Sequence, residues 1–298
     1  MDVSVIIVNY NTKDLTKNCI DSIFEKTSGV TFEVILVDNA STDGSVEAFK
    51  KDDRIRFIES GVNLGFGKAN NLGYQCALGN YIFLLNSDTL LLNNAIKEFY
   101  MQMEQQDTMV ACMGCLLVDA CNQPVHSYGD FPTMRNELLR KPMAFLNKYF
   151  SIRNGYDDTP LQVINEHCFE VEYVTGADIF MRKEVADRLG LFDSEFFMYY
   201  EECEMQYRYR RKGYISLIID NPKVMHLVGK SDSSNKTLWT RNDIKSMFIC
   251  YRKLYGRYYA FFFKWLMIMA YLPLAICDFR HSLSVRRNFV RTLVNNCC

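Results

Sequence analysis

Three apolar runs in the N-terminal third of the chain each end in polar residues able to bind a small ligand: Asn9-Tyr10-Asn11, Asp38-Asn39 and Asn86-Ser87-Asp88. A carboxylate can accept hydrogen bonds or hold a hard cation, an amide can donate or accept, and a tyrosine offers a face for stacking. Asn and Asp also enter turns and cap helices for local reasons, so one such cluster carries little. Three at one strand edge point to a site there. Farther along, Glu201, Glu202 and Glu204 precede Arg208, Arg210, Arg211 and Lys212. Acid early and base late complement a helix dipole, so most of these charges have a structural explanation. Cys112, Cys115, Cys121 and His126 could supply four zinc ligands, the first pair at Cys-x-x-Cys spacing. Cys112 and Cys115, however, sit in the apolar stretch MVACMGCLLVDA, which reads as a buried strand with a Gly break, and packing is the default reading.

The elements that must position these residues follow from the pattern. Short β-rich runs, Val3-Val8, Val34-Val37, Ile55-Ile58 and Tyr81-Leu85, alternate with amphipathic segments at Asp14-Glu25, Gly44-Lys50 and Gly67-Leu78. That alternation predicts stacked βαβ units, hence an α/β fold with a mostly parallel sheet. Ser41, Thr42 and Asp43 are candidate caps for the second helix. Ligands in such sheets bind beyond the carboxyl ends of the strands, where the three polar clusters fall. From about Ala120 to Glu166 the pattern becomes irregular and reads as a surface excursion. Regular structure returns at Phe169-Arg182, followed by a helix near Glu201-Lys212 and a strand at Tyr214-Ile219. We find no internal repeat and no low-complexity tract.

At 298 residues and 49% hydrophobic content, the chain can bury a substantial core. Lys+Arg 34 against Asp+Glu 35 gives a net charge of -1, so nothing in the overall field attracts nucleic acid, and anion binding must be local. The 11 cysteines are scattered through apolar runs and no signal-peptide pattern opens the sequence, which makes a reducing, cytoplasmic environment the expectation.

The segments VSVIIVNYN, LVDNASTDGS, NLGFGKANNLG, LLNSDT, VTGADIFMRKEV, GLFDSEFFMYYEECEMQYRYRRKGY and HLVGKS, in that order over Val3 to Ser231, resemble the family-2 glycosyltransferases with a GT-A-like fold, particularly their bacterial rhamnosyltransferase-like members. The resemblance implies an inverting transferase acting on a nucleoside-diphosphate sugar, with a lipid-linked or glycan acceptor and a divalent cation, Mg²⁺ or Mn²⁺. It places Asn9, Tyr10, Asp38, Asn39, Asn63, Lys68, Asn70 and Asn86 at the nucleotide and Thr175, Gly176 and Ala177 at the acceptor. Asp38 suits a ribose hydroxyl or pyrimidine N–H, and Lys68 can offset phosphate charge next to Gly65 and Gly67. Asp88 becomes the metal ligand in an Asp-x-Asp element whose first carboxylate is Asn86. A metal there neutralises the charge that develops on the pyrophosphate leaving group. His226, which on its own reads as a structural histidine, is implied to lie beside the metal. Glu202 falls where the family carries the Asp that removes the acceptor proton, with Glu201 the alternative.

After Ser231 the composition changes. LWTRNDIKSMFICYRKLYG reads as an amphipathic helix, and RYYAFFFKWLMIMAYLPLAIC is apolar but interrupted by Lys264 and Pro273. Arg280, His281, Arg286, Arg287 and Arg291 follow. We expect a catalytic domain over 1–231 and a helical segment over 232–298 that lies on an anionic membrane surface, placing the protein at the inner face of the cytoplasmic membrane. The alternatives are packing on the main domain or on a second chain as a homodimer, and a true span. From other functional classes, a noncatalytic nucleotide-sugar-binding or assembly protein would be consistent with Asn86 and Glu202. A nucleotidyltransferase would need a Gly-rich basic signature after the first strand, where VNYNTKDL stands instead.

Overall fold

Val3–Asn9 (β1) is apolar on both faces and buried along nearly its whole length, as a central strand covered on both sides must be. In the computed structural model, which describes residues 1–134, 162–165, 167–227, 241–277 and 291, β1 pairs in parallel with Phe32–Asp38 (β2) and Tyr81–Asn86 (β4). Arg56–Glu59 (β3) adds in parallel outside β2. The connections are the helices Lys13–Lys26 (α1), Ser45–Phe49 (α2) and Phe66–Tyr74 (α3). All four strands therefore point the same way, and their carboxyl ends share one edge.

Two expectations are corrected in detail. The third helix ends at Tyr74 rather than Leu78, because the Leu78 and Gly79 amides turn away and donate to Ser4 Oγ at 3.1 and 2.8 Å. The second begins at Ser45. None of the three candidates is its N-cap, which is Gly44 with no side-chain capping bond; Asp43, one residue earlier, accepts from Ser45 N at 3.1 Å.

The chain continues through Thr89–Leu91 (β5), Ala95–Gln105 (α4), Val110–Cys115 (β6), Tyr128–Gly129 (β7), Gln162–Asn165 (β8), Cys168–Val171 (β9), Tyr173–Val174 (β10) and Asp178–Arg182 (β11). Lys183–Leu189 (α5), Glu201–Arg210 (α6), Ile215–Ile219 (β12) and Val224–His226 (β13) follow. Among the described residues the main sheet has nine strands in the order β3-β2-β1-β4-β11-β6-β12-β9-β8. β11 inserts antiparallel to both β4 and β6. Two small antiparallel pairs, β7 with β10 and β5 with β13, lie outside it.

Alternating side chains divide between two cores. Val5, Ile7, Phe83, Phe99 and Phe180 fill one face with α1 and α4, and Ile6, Ile35, Leu84, Met205 and Tyr209 fill the other with α3 and α6. Phe99 stacks on Phe180 at 5.4 Å between centroids, a contact of about 0.5–1.5 kcal/mol beyond its area. Cys112 and Cys115 fall in β6 on opposite faces, one in each core, so they cannot bind one metal together. Burial pushes the Cys112 thiol up to about 12, and it packs as a neutral group.

The chain divides into two compact units. One comprises Met1–Asp130, Leu161–Phe197 and Glu201–Ser234, and the other Phe131–Pro160, Met198–Tyr200 and Asn235–Cys298. In the second, Arg241–Tyr255 (α7) and Arg257–Cys277 (α8) meet at Gly256, whose φ of +90° separates the helices. Ile244, Met247, Tyr251, Phe263 and Met267 form their buried seam. Most of the irregular stretch before Glu166, Gly229 to Ser231 and the basic residues from Arg280 to Arg287 lie outside the described residues.

Candidate active site

Asp38 ends β2 with its carboxylate buried at 1% exposure. Asn9, at the end of the neighbouring β1, donates from Nδ2 to Asp38 Oδ1 at 2.7 Å, and Ser41 N donates to Asp38 Oδ2 at 2.9 Å. Asn9 Nδ2 also reaches Ser41 Oγ, while its Oδ1 accepts from Thr12 and Thr16 at 2.9 and 2.8 Å. The Asn9 amide is thus engaged within the protein, and it orients Asp38. Tyr10, next in sequence, is 46% exposed and leaves its ring accessible.

Asn39 organises the second loop. Its Oδ1 accepts from Leu64 N at 2.8 Å and its Nδ2 donates to Asn63 Oδ1 at 3.0 Å, which draws the loop before α3 onto the end of β2. Gly65 has φ +82°, and a Cβ there would lie 2.1 Å from the Phe197 carbonyl oxygen, so glycine is required. Lys68 is exposed on α3, whereas Asn70 is buried and donates back to Phe66 O at 3.1 Å within the helix. Its neighbour Asn71 makes the outward connection, bonding both Phe192 O and Phe192 N.

The third loop carries Asn86, Ser87 and Asp88. Asn86 N donates to Ala177 O at 3.0 Å, which anchors the loop to the segment Thr175-Gly176-Ala177 leading into β11. Ser87 Oγ lies 3.1 Å from Thr12 Oγ1. Buried hydroxyls therefore connect Asp38, through Asn9 and Thr12, to the loop holding Asp88. The β5–β13 pair sets Thr89 opposite His226 and brings His226 Nε2 within 3.2 Å of Asp88 Oδ1. His226 Nδ1 is buried with no hydrogen-bond partner.

These residues fit a divalent cation. A carboxylate and an imidazole with an orphaned nitrogen are in contact, and among the described residues no third His, Cys, Asp or Glu joins them. Such a cation is commonly held by one or two protein groups, with the rest of its shell left to phosphate oxygens and water. Asn86 adds a neutral oxygen donor at the same strand end.

Glu202 stands in the first turn of α6 with its carboxyl over Gly176, whose added Cβ would lie 3.9 Å from the Glu202 carboxyl carbon. Its Oε2 is out of solvent and has no hydrogen-bond partner, and burial raises its pKa above the usual carboxylate range. Thr175 Oγ1 is buried and unpartnered on the other side of Gly176 in the sequence. Glu201 is 2% exposed and packs against α3, 3.6 Å from a Cβ added at Gly67.

Gln206, one turn beyond Glu202, was not legible as a site residue. It clamps Val174 through N and O at 2.9 and 2.8 Å and accepts from Ser216, fixing the 175–177 segment under Glu202. Only its four-residue spacing from Glu202 hints at this. Arg208 bonds the carbonyls of Gly190 and Leu191 and pairs with Glu204, and Arg210 pairs with Glu170, so these charges are structural.

A parallel β-edge with an Asp-ended second strand, an Asn-Ser-Asp loop facing a histidine, and a helix-borne glutamate across it define a nucleotide-sugar transferase architecture. The profile of glycosyl transferase family 2 matches residues 4–169, and the chain belongs to that family. A low-salt glycan biosynthesis hexosyltransferase of Haloferax volcanii is 29% identical over 71% of this chain and 62% of its own length. An N-acetylglucosaminyl-diphospho-decaprenol L-rhamnosyltransferase of Mycobacterium tuberculosis is 24% identical over 65% of this chain and 66% of its own. The chain thus spans less than two thirds of either relative. A mannosyltransferase of Pyrobaculum calidifontis, solved with GDP-Man and Mn²⁺, superposes with a TM-score of 0.58 at 16% identity over 99% of this chain and 84% of that one. The fold is the GT-A fold of glycosyltransferases.

Proposed function

We propose that the chain is an inverting, divalent-cation-dependent hexosyl- or deoxyhexosyltransferase that moves a sugar from a nucleoside-diphosphate donor to a lipid-linked or polysaccharide acceptor in surface glycan synthesis. Its chemistry lies within residues 1–231. The observation that carries this reading is the Glu202 carboxyl, with its unpartnered Oε2, over the same 175–177 segment that anchors the Asp88 loop.

Asp38 accepts a hydrogen bond from ribose or base, held for that purpose by Asn9 and Ser41, and Tyr10 offers a stacking face. Lys68, exposed on α3, offsets the charge of the donor phosphates. Asp88 and His226 would hold a Mg²⁺ or Mn²⁺ ion, which would supply positive charge to offset that gained by the leaving diphosphate. Glu202 takes the proton from the acceptor hydroxyl as that oxygen attacks the anomeric carbon opposite the leaving group. Its raised pKa makes it a stronger base than an exposed carboxylate. Thr175 Oγ1 supplies a hydrogen-bond partner for the acceptor. The hexosyltransferase and rhamnosyltransferase relatives support the sugar class, and the mannosyltransferase solved with GDP-Man and Mn²⁺ supports the donor class and the cation.

The test is incubation of the purified chain with UDP-, GDP- and dTDP-sugars with and without Mn²⁺. One donor should show both a metal-dependent thermal shift and slow metal-dependent hydrolysis. A shift without turnover, even when glycan and lipid-linked acceptors are supplied, favours the noncatalytic binder.

A further inference from the structure

The α7–α8 pair buries one face of α8 and leaves the opposite face open. Phe263 and Met267 are fully buried against α7, with Phe263 stacked on Tyr251 at 3.8 Å between centroids. At 100° per residue, Tyr258, Phe261, Phe262, Trp265 and Met269 fall on a single stripe on the other side. They are 69, 56, 64, 51 and 69% exposed. Five large apolar side chains in one exposed row exceed the scattered apolar residues of an ordinary surface.

What covers this stripe is indicated by charge. Arg257 and Lys264 lie seven residues apart along one border of the stripe, and each cation sits over the ring next to it, Tyr258 at 4.8 Å and Trp265 at 5.8 Å. From Arg241 to Cys277 the basic residues Arg241, Lys245, Arg252, Lys253, Arg257 and Lys264 stand against Asp243 alone. The sequence beyond adds Arg280, Arg286, Arg287 and Arg291 against Asp278. Because the whole chain carries a net charge of -1, the positive charge is concentrated in this unit. A second copy docking here would bring two basic units together, which their like charge opposes. Among the described residues no helix is long and apolar enough to cross a membrane.

We propose that the Tyr258–Met269 face of α8 is a docking surface for an anionic lipid bilayer, with its rings at the level of the headgroups and Arg257 and Lys264 reaching lipid phosphates. This surface does not depend on the transfer reading.

The test is co-sedimentation of the full chain with phosphatidylcholine vesicles, with and without phosphatidylserine. The chain should pellet with the anionic vesicles and be partly released by high salt, because the charge attraction is screened. The variant F261S/F262S/W265S should bind at least about tenfold more weakly, with an unchanged melting temperature because these rings are exposed. Should that variant misfold, R257E/K264E provides the second test and should lose the preference for phosphatidylserine. Retention after salt and alkaline carbonate would overturn the proposal in favour of a span. Failure to pellet with any vesicle, together with a concentration-dependent dimer that the serine variant abolishes, would assign the face to a second copy.

Discussion

His226 Nε2, at the end of β13, lies 3.2 Å from Asp88 Oδ1, although the two residues stand far apart in the chain. The contact depends on the short β5–β13 pair, reinforced by Leu227 N donating to Asp88 O at 2.9 Å. One carboxylate and one imidazole are thereby pre-positioned at the end of β4.

Asp88→Ala removes the charged member of this pair from a loop rather than from either core. The variant should keep its fold and lose metal-dependent transfer, and His226→Ala should weaken Mn²⁺ affinity by roughly 10–100-fold. Both are read from Mn²⁺ titrations of activity alongside melting curves. Full activity of Asp88→Ala at ordinary Mn²⁺ would remove the residue from the metal site.

Glu202→Gln preserves shape but cannot take a proton, so kcat should fall by ~10²–10⁴-fold with donor binding nearly unchanged. The raised pKa of Glu202 fixes the direction of the pH dependence. As pH falls the base is protonated earlier than an exposed carboxylate, so the acidic limb of kcat/KM should lie above the usual carboxylate range. Glu201→Gln is the control: loss there, with full activity in Glu202→Gln, would assign the base to Glu201.

Thr12→Val keeps volume but deletes the hydroxyl that bonds Asn9 and meets Ser87. Buried partners left unsatisfied cost about 1–3 kcal/mol. Because this hydroxyl joins the Asp38 and Asp88 loops, donor KM and the Mn²⁺ requirement should rise together, and Thr12→Ser should restore both. A change confined to thermal stability would leave Thr12 a purely structural role.

Asp178 is fully buried in β11, accepting from Cys115 N at 2.8 Å, and burial raises its pKa to about 8. The folded chain holds this proton while the unfolded chain releases it near pH ~4. Its contribution to stability is therefore complete below that value and is lost as pH rises to about 8, at up to ~1.4 kcal/mol per pH unit. Asp178→Asn can keep the bond from Cys115 N without titrating. Denaturant melts should show a smaller loss of stability for it than for the native chain between about pH 5 and about pH 8; equal losses would mean that Asp178 is already ionised in the fold.

Much of the architecture could be read from the residues because it is locally encoded. Alternating apolar strands and amphipathic helices specify β1 to β4 and their connections, and strand direction places Asn9, Asp38 and Asn86 at one edge. The run around Cys112 and Cys115 reads correctly as a strand because an apolar segment broken by Gly114 admits little else. Side chains whose partners lie far away in sequence were a different matter. Thr12 looks like a helix-start residue and Gln206 like an ordinary helix surface position until Ser87 and Val174 fold against them. Residue type alone leaves His226 a structural histidine, and only the family resemblance moves it toward Asp88. In the tertiary structure β11 inserts antiparallel beside β4, which brings Ala177 to Asn86 and Gly176 beneath Glu202. That arrangement arises from long-range strand pairing, which no local periodicity encodes, so the sequence by itself determined the edge on which a site would form and the tertiary structure decided which side chains meet there.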